Sequence, residues 1–439
     1  MRIRDAVNGD VIFNGLEEHC IRHAAFQRLH LIKQLGNAFH VYPSAVHTRF
    51  EHSLGVSYQI KRLLSLPGFF PPKYKISKRK KNLIELAGLL HDIVHTPFKH
   101  TLDRDVAILP EPDMKLEYAL RFEQLQLTKE LGKNEIQLLL DILACGNAND
   151  LHEPYLRQMI EDTISADLLD YSRRDAYFST GWGRQWDERI YDHIAVSYYN
   201  NKLTLAAKLT DSEGKITPSA ITELVNLLQV RYLLNERVYF YPAKISADAL
   251  LVKSIRCFLE SSGKSPKELL EQFRDYSDEG LINHLKTCSD SRTRRYAELL
   301  SGRVLPGLAH SFSSKDLIID DIRKVAYHCW GNGALSRWQQ CEDEIAKEAK
   351  IDQGTVIIYC HDPKMQEKEP NFYVQRSSRR LAQPVKMSKE MESEVKAIAE
   401  KHRNLWRCHV FSLDRTPKAL NRIKTSAINV VNNLKSKVD

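Results

Sequence analysis

Histidine and aspartate side chains cluster in one short segment of the chain, Ala87-Gly-Leu-Leu-His91-Asp92-Ile-Val-His95-Thr-Pro-Phe-Lys-His100-Thr-Leu-Asp103. An adjacent His-Asp pair is followed by two more histidines and a second carboxylate. Imidazole and carboxylate together are suitable ligands for Fe, Mn, Zn or Mg. The segment alone is equally compatible with a helix end whose histidines hydrogen-bond to the backbone. Other parts of the sequence must therefore distinguish the two interpretations.

The residues before the His-Asp pair predict a buried helix. Leu83 to Leu90 is an apolar run without proline, which fits a helix packed inside a protein. Pro97 is expected to end that helix near Thr96, because the residue before a proline is pushed out of the α region. His91 and His95 would then be separated by four residues and share one helix face.

Periodicity along the rest of the chain predicts a mainly α protein. Helices are predicted at 20–36, about 47–66, 114–130, 134–145, 153–178, 218–240, 246–260, 265–300, 336–349 and 417–434. Strands are predicted at 190–199, 202–209, 355–360, 371–375 and 406–411, with a hairpin turn at Asn200-Asn201 and an irregular segment at 1–20. The predicted organisation is a helical domain over 1–300, with its core at about 20–180, and a smaller α+β lobe over 301–439.

The composition is that of an ordinary globular protein, with 43% hydrophobic and 27% charged residues among 439. No apolar run reaches the roughly 18 to 20 residues that span a bilayer, and we see no secretion signal after Met1. The eight cysteines have no CxxC spacing, which argues against a thiolate zinc site and favours a reducing, cytoplasmic setting. The net charge of +8 favours anionic partners such as nucleotides or nucleic acid, or simply reflects a charged surface.

Two residues distant in sequence complete a candidate metal site. His52 lies on the helix predicted at about 47–66, and Asp167 lies on the helix predicted at 153–178. Packed helices can bring such positions to one point. Together with His91 and Asp92 they offer two imidazoles and two carboxylates, which leaves positions on an ion for water and a phosphate oxygen.

The helix predicted at 153–178 also carries a polar face. Asp167, Tyr171, Arg174 and Asp175 are spaced i, i+4, i+7 and i+8, which places them on one side. Two carboxylates, a phenol and a guanidinium are unsuited to an apolar core. The simpler alternative is a solvated face whose charges stabilise the helix in pairs.

Taken in order, these residues resemble the H…HD…D signature of HD-domain phosphohydrolases, and more closely the branch of SAM-and-HD-domain dNTP triphosphohydrolases. The resembling segments are Phe26-Gln-Arg-Leu-His-Leu-Ile-Lys-Gln34-Leu35-Gly36, His47-Thr-Arg49-Phe-Glu-His52-Ser-Leu-Gly-Val, Leu90-His91-Asp92 to Asp103, and Ala166-Asp167-Leu-Leu-Asp170-Tyr171-Ser-Arg-Arg-Asp175, with a weaker echo at Arg231-Tyr-Leu-Leu-Asn-Glu-Arg237-Val-Tyr239. The resemblance runs from about residue 4 to 260 and implies an HD-domain helical core, a smaller α+β C-terminal lobe and no SAM domain.

The resemblance implies a role for each matching residue near the His-Asp pair. His52, His91, Asp92 and Asp167 would bind one divalent metal ion, with Mn, Fe, Zn and Mg all possible as its identity. His100, oriented by Asp103, would protonate the leaving oxygen or act as the base. His95 would contact phosphate or activate a water molecule.

The resemblance also implies a nucleotide substrate, with Mg as a further ion on its phosphates. Arg49 would hold a phosphate by a bidentate contact. Gln34 and Leu35 would line the sugar, where a close fit excludes a 2′-hydroxyl, while Tyr171 and Asp175 would contact sugar or phosphate. Water would attack the α-phosphorus and release a deoxynucleoside and tripolyphosphate.

Two features of this chain differ from the family pattern. The family often has a further active-site histidine just past the His-Asp helix, whereas Met114 to Phe122 contains none and Leu116 falls near that place. Nucleotide-activated members place an Asp and an Arg around the segment at 26–28, whereas Arg22 and His30 stand there in this chain. We therefore expect constitutive activity, or an effector other than GTP.

Three functions remain open from the sequence. The first is a dNTP triphosphohydrolase. The second is another HD phosphodiesterase or a nuclease acting on nucleic-acid ends, suggested by the missing histidine and by the basic runs Lys73–Lys81 and Arg376–Arg380. The third is a non-catalytic nucleotide-binding regulatory module. The family resemblance also predicts a homo-oligomer, a dimer or tetramer, supported by the C-terminal lobe. The lack of a long apolar run predicts no membrane partner.

Overall fold

The fold is described from a computed structural model, which describes residues 1–98, 101–102, 113–181, 186–211, 213–316, 334–361, 372–376, 383–385 and 391–436. The α-helices are α1 (Leu16–Arg22), α2 (Ala24–Gln27), α3 (Arg49–Ser65), α4 (Lys78–Leu90), α5 (Met114–Gln124), α6 (Leu127–Glu130), α7 (Lys133–Ala144), α8 (Tyr155–Gln158), α9 (Ala166–Ser179), α10 (Pro218–Leu234), α11 (Pro242–Ser262), α12 (Pro266–Phe273), α13 (Asp278–Thr287), α14 (Ser291–Ser301), α15 (Ala334–Glu348), α16 (Glu392–Arg403) and α17 (Pro417–Ser436). The predicted mainly α fold is confirmed.

The strands form three small sheets among the described residues. They are β1 (Arg2–Asp5), β2 (Gly9–Ile12), β3 (Ile194–Tyr199), β4 (Lys202–Lys208), β5 (Gly307–Ser313), β6 (Val356–Cys360), β7 (Tyr373–Gln375), β8 (Gln383–Pro384) and β9 (Arg407–Ser412). The sheet orders are β1-β2, β3-β4-β7-β8 and β5-β9-β6. The hairpin predicted at Asn200-Asn201 is confirmed, with φ values of 49° and 62° at these two residues. The irregular N-terminus was a wrong prediction, because β1 and β2 pair as an antiparallel hairpin.

Helix α3 packs against both α4 and α9, and these three helices supply the candidate metal ligands. Each begins at a polar cap that satisfies otherwise unpaired backbone N–H groups. Thr48 and Glu51 form a capping box for α3. The hydroxyl of Ser77 accepts the Lys80 N–H at α4, and the hydroxyl of Ser165 accepts the Leu168 N–H at α9.

The prediction of one long helix over 20–36 was wrong. The chain instead forms α1, α2 and a short 3-10 turn over Arg28–Leu31. His23 is extended, with φ −82° and ψ 141°, and its side chain caps the Ala25 N–H. Ile32 is also extended, and Lys33 pairs with Thr48 in an isolated β-bridge. Local caps and this long-range pairing therefore override the helical periodicity.

The helix predicted to continue to Thr96 ends earlier, because α4 stops at Leu90. Two successive backbone bonds, Ile93 N–H to Leu90 O and His95 N–H to Asp92 O, close tight turns in place of helical ones. His91 and His95 consequently do not share a helix face as predicted.

The single helix predicted at 153–178 is interrupted between α8 and α9. The backbone N–H of Ala166 bonds to Met159 O across this break. Ser165 then starts α9, so Asp167 lies in the first helical turn. The break lets Asp167 approach the metal site from a helix N-terminus.

Buried hydrophobic side chains form two clusters. The first draws on residues from Val11 to Val238 and on a return segment from Phe372 to Ile398. The second is built mainly from α11 to α15, the β5-β9-β6 sheet and α17, and it also takes in Phe98 and Leu102. The division at about residue 300 remains a prediction. No helix in the described part of the chain has both the length and the apolarity to cross a membrane.

Two glycines allow close approach of the helices around α3. A Cβ on Gly88 of α4 would meet the side chain of Ile60, and a Cβ on Gly55 of α3 would overlap the carboxylate of Asp170 on α9. The second contact is the more restrictive, because Asp170 is fully buried and held by several hydrogen bonds.

We expect Gly55→Ala to displace Asp170 and to lower the free energy of unfolding by about 1–3 kcal/mol, the usual cost of overpacking a core. The control is Gly146→Ala, because a Cβ at this exposed residue would meet no atom within 4 Å. Its effect should stay within about 0.5 kcal/mol. Urea denaturation of both variants tests this, and equal stabilities would contradict the proposed packing constraint.

Candidate metal centre

Three potential metal ligands converge from three different helices. His52 comes from α3, His91 follows the last residue of α4, and Asp167 lies in the first turn of α9. One ligand atom of each lies within 4.8 Å of the other two. His52 Nε2 is 3.0 Å from Asp167 Oδ1, and the ring centroids of His52 and His91 are 5.1 Å apart. These distances are compatible with three side chains around one cation.

Hydrogen bonds orient both imidazoles with Nε2 toward the cluster. His52 Nδ1–H donates to Asp170 Oδ2 at 2.9 Å, and His91 Nδ1–H donates to Gly88 O at 2.8 Å. These partners assign the proton to Nδ1, which leaves a lone pair on each Nε2 for a metal. His91 Nε2 is buried and has no hydrogen-bond partner in the described part of the chain. The donor set therefore fits a divalent cation.

Asp92 lies beside this cluster and faces two further groups. Its Oδ1 is 3.4 Å from His91 Nε2, and its Oδ2 is 3.8 Å from His52 Nε2. Oδ2 accepts from Arg49 Nη1 at 2.7 Å, and Oδ1 is 3.0 Å from His95 Nε2. Burial alone would raise the pKa of Asp92, but His91, His95 and Arg49 hold it well below its usual value. Asp92 is therefore a carboxylate that links the cluster to Arg49 and His95.

Asp170 was missed as a functional residue by the sequence interpretation. Its side chain is fully buried, and besides His52 it accepts two hydrogen bonds from Arg174, at 2.8 and 2.9 Å. Arg174 also donates to Asp5 at 2.7 and 3.1 Å. The sequence spacing could have indicated Asp170, because it follows Asp167 by three residues and so lies on the same side of α9.

This buried network determines the protonation of His52. Burial lowers the pKa of His52, but its hydrogen bonds with Asp167 and Asp170 outweigh burial and raise the pKa to about 10. Burial alone would raise the pKa of Asp170, whereas Arg174 and His52 hold it below its usual value. His52 thus carries a proton between two carboxylates, and its Nε2 would have to lose that proton in order to hold a cation.

The predicted catalytic residues are only partly described. His95 is buried, and its backbone carbonyl accepts a hydrogen bond from Arg28 at 2.8 Å. His100 and Asp103 lie outside the described residues. Phe98 has a φ of 51°, in the left-handed region that few non-glycine residues adopt, and it is buried in the second hydrophobic cluster.

Arg49 connects Asp92 to the segment that carries Gln34 and Leu35. Arg49 is buried, and its Nη2 is 3.5 Å from the backbone carbonyl of Gln34. Arg49 Nε and Gln34 Oε1 are buried atoms with no hydrogen-bond partner among the described residues. Leu35 is 9% exposed.

Tyr171 and Asp175 extend from α9 beyond Asp167. Burial raises the pKa of Tyr171 to about 12, with Arg231, Asp167 and Asp175 acting as its charged neighbours. Asp175 is buried, and its two oxygens pair with His47 Nε2 at 2.9 Å and with the Tyr239 hydroxyl. The weak sequence echo at 231–239 thus lies near the residues of α9.

The helical fold and the His-His-Asp cluster together define a candidate metal-dependent hydrolase. A model of the HD domain matches residues 49–174, and a model of the HD associated region matches residues 201–439, more than half of the chain. The chain belongs to the HD-domain family, and it is related to the branch that includes the SAMHD1 proteins.

Three relatives are similar to parts of this chain. An uncharacterized protein of Mycoplasma pneumoniae is 36% identical over 187 residues, which are 40% of this chain and 43% of that protein. Deoxynucleoside triphosphate triphosphohydrolase SAMHD1 of Bos taurus is 42% identical over 113 residues, 26% of this chain and 19% of that protein. The SAMHD1 homolog of Dictyostelium discoideum is 25% identical over 358 residues, 76% of this chain and 65% of that protein. The chain therefore spans less than half of the Mycoplasma and Bos relatives.

We expect Asp170→Asn to weaken metal binding by about 10- to 100-fold, the usual effect of removing a carboxylate behind a ligating histidine. The matched control is Asp5→Asn, which changes the other carboxylate partner of Arg174 and leaves Asp170 in place. Metal content is measured after dialysis against graded chelator. If both variants lose metal to the same degree, Asp170 does not act through His52.

Proposed function

We propose that the protein hydrolyses dNTPs to a deoxynucleoside and tripolyphosphate. The observation that carries this proposal is Arg49, whose guanidinium joins Asp92 beside the metal cluster to the carbonyl of Gln34. The Arg49 guanidinium, which is suited to binding phosphate, thus lies between the candidate metal site and the residues expected to line a sugar. This order suits a nucleotide whose α-phosphate lies at the metal.

The first role is to bind and polarise the phosphate. His52, His91 and Asp167, with Asp92 alongside, would hold a divalent cation, which when bound polarises phosphoryl oxygens and lowers the pKa of water. Arg49 keeps one N–H, at Nε, without a partner in the described residues. That N–H is suited to donate to a phosphate oxygen in a charge-assisted hydrogen bond. The stabilisation of charge on the phosphoryl oxygens is the main catalytic contribution.

The second role is proton transfer, which we assign to the segment after the His-Asp pair. His95 is oriented by Asp92 at Nε2 and by Arg28 at its carbonyl. We assign His95 to contact with phosphate or to activation of the attacking water. We assign His100, with Asp103, to protonation of the departing 5′-oxygen or to the role of base.

The third role is selection of the sugar. Gln34 and Leu35 are assigned to the 2′ side, where a close fit rejects a hydroxyl group. Tyr171 is assigned to direct contact with sugar or phosphate. The carboxylate of Asp175 is hydrogen-bonded to His47 and Tyr239. We therefore assign Asp175 to orienting Tyr239.

The basic run Lys73–Lys81 gives little support to a nuclease. Arg79 forms an ion pair with Glu135, and Lys80 forms one with Glu153 at 2.5 Å. These two charges are therefore already matched by acidic partners. Of the second run, residues 377–380 lie outside the described residues.

Incubation with each dNTP and Mn²⁺ or Mg²⁺ in ¹⁸O-water tests the proposal. Because water attacks the α-phosphorus, we expect a deoxynucleoside without label and tripolyphosphate carrying one ¹⁸O atom, detected by mass spectrometry. Release of pyrophosphate with a labelled monophosphate would contradict the proposed bond cleavage. No turnover of dNTPs, combined with cleavage of another phosphate ester or with none, would favour one of the other two functions.

Arg49→Lys tests the phosphate contact, because lysine keeps the charge but not the planar fork. We expect kcat/KM for dNTPs to fall by about 10- to 100-fold, the range for losing a hydrogen bond to a charged group. Arg62→Lys is the control on the same helix, where Arg62 pairs with Glu188 at 3.0 Å. It should change kcat/KM by less than about twofold. Equal effects of the two substitutions would contradict the role of Arg49.

A further inference from the structure

The loop Arg274–Ser277 and the first residue of α13 lie against the helical core, although they follow the residues matched by the HD domain. Arg274 forms two hydrogen bonds with Glu117 of α5, at 2.8 and 2.7 Å. Arg121, also on α5, donates to Asp275 at 2.7 Å and to the carbonyl of Arg274 at 3.0 Å. These contacts fix the start of α13 relative to the core.

Arg28 connects the same loop to the segment that follows the His-Asp pair. Its guanidinium donates to the carbonyls of Ile93 and His95, at 3.1 and 2.8 Å, and approaches the Tyr276 carbonyl at 3.5 Å. These bonds place the loop close to one end of the metal site.

Asp278, the first residue of α13, contacts the residue that precedes Gln34. It is 1% exposed, and its Oδ2 accepts the backbone N–H of Lys33 at 2.8 Å. The Lys33 ammonium lies farther away, at 3.8 Å, and forms a closer ion pair with the exposed Glu279. The main connection to Asp278 is therefore made by the backbone of Lys33.

The backbone that Asp278 holds leads directly into Gln34. On its other side this segment is bound by the start of α3, through Gln34 N–H to His47 O and Arg49 N–H to Ile32 O, both at 2.9 Å. The Gln34 carbonyl in turn faces Arg49. The segment Ile32–Gln34 is consequently clamped between α3 and Asp278.

We propose that Asp278 is a positioning residue that sets the place of Gln34 and Leu35 relative to Arg49, and through them the preference for deoxyribose. This inference rests on the proposed dNTP hydrolysis for its kinetic consequence, whereas the anchoring of Lys33 does not depend on the substrate. A displacement of about 1 Å at such a segment is enough to change turnover substantially.

Three substitutions of Asp278 separate the hydrogen bond from the charge. Burial raises the pKa of Asp278 to about 6, because it disfavours the charged form of the carboxylate. Asp278→Asn keeps an oxygen that can accept the Lys33 N–H, and it removes the charge. Asp278→Ala removes the acceptor, and Asp278→Ser leaves a smaller polar group too short to replace it. Glu279→Ala is the matched control, because it removes the partner of the Lys33 ammonium and leaves the backbone bond.

The test combines hydrogen exchange of the peptide 29–36 with steady-state kinetics on dATP and ATP. In Asp278→Ala we expect faster exchange at the Lys33 amide, a higher KM for dATP with a smaller change in kcat, and a loss of about tenfold in the preference for dATP over ATP. Asp278→Asn should restore both readouts to within about threefold of wild type, and Glu279→Ala should match wild type. Asp278→Ser gives the same expectation as Asp278→Ala if the alanine variant does not fold.

Three results overturn the inference. The first is unchanged exchange at Lys33 in Asp278→Ala and Asp278→Ser. The second is faster exchange with unchanged selectivity, which assigns Asp278 a purely structural role. The third is an Asp278→Asn variant as defective as Asp278→Ala. A wild-type protein that hydrolyses no dNTP instead overturns the proposed function, while the exchange measurement still decides whether Asp278 anchors Lys33.

Discussion

One buried hydrogen bond, from His52 Nδ1–H to Asp170, connects the metal centre to the helical fold. It directs His52 Nε2 toward His91 and Asp167, and it requires α3 and α9 to approach at Gly55, where a Cβ would overlap the carboxylate. Arg174 compensates the charge of Asp170 and binds Asp5 near the N-terminus. The site is thus rigid because it is built into a buried network rather than placed on a surface loop.

The sequence identified the three residues that converge, His52, His91 and Asp167, because their chemistry is unusual and their order matches a known signature. It also predicted α3 and most of the later helices from periodicity. It extended the helix before His91 too far, because backbone turns and the bond from His91 to Gly88 O leave no periodic signal. Contacts between residues far apart in sequence, such as the bond from the Lys33 backbone N–H to the Asp278 carboxylate, are equally invisible to local pattern.

The remaining chain supports the centre from two directions. The HD domain supplies the candidate metal ligands, while the associated region reaches back to the core through Tyr239 and through the start of α13. Arg28 holds the segment after the His-Asp pair through the carbonyls of Ile93 and His95, and Arg49 holds the pair itself through the carboxylate of Asp92. The shape of the substrate site would then depend on parts of the chain that lie far from its chemistry in sequence.

A crystal soaked in Mn²⁺ and measured for anomalous scattering tests the central claim most directly. The account predicts one strong peak about 2.0–2.2 Å from His52 Nε2, His91 Nε2 and Asp167, with Asp92 close enough to complete the ligand set. Saturating metal that gives no peak at this point, or a peak bound by other residues, would contradict the assignment of these side chains as a metal centre.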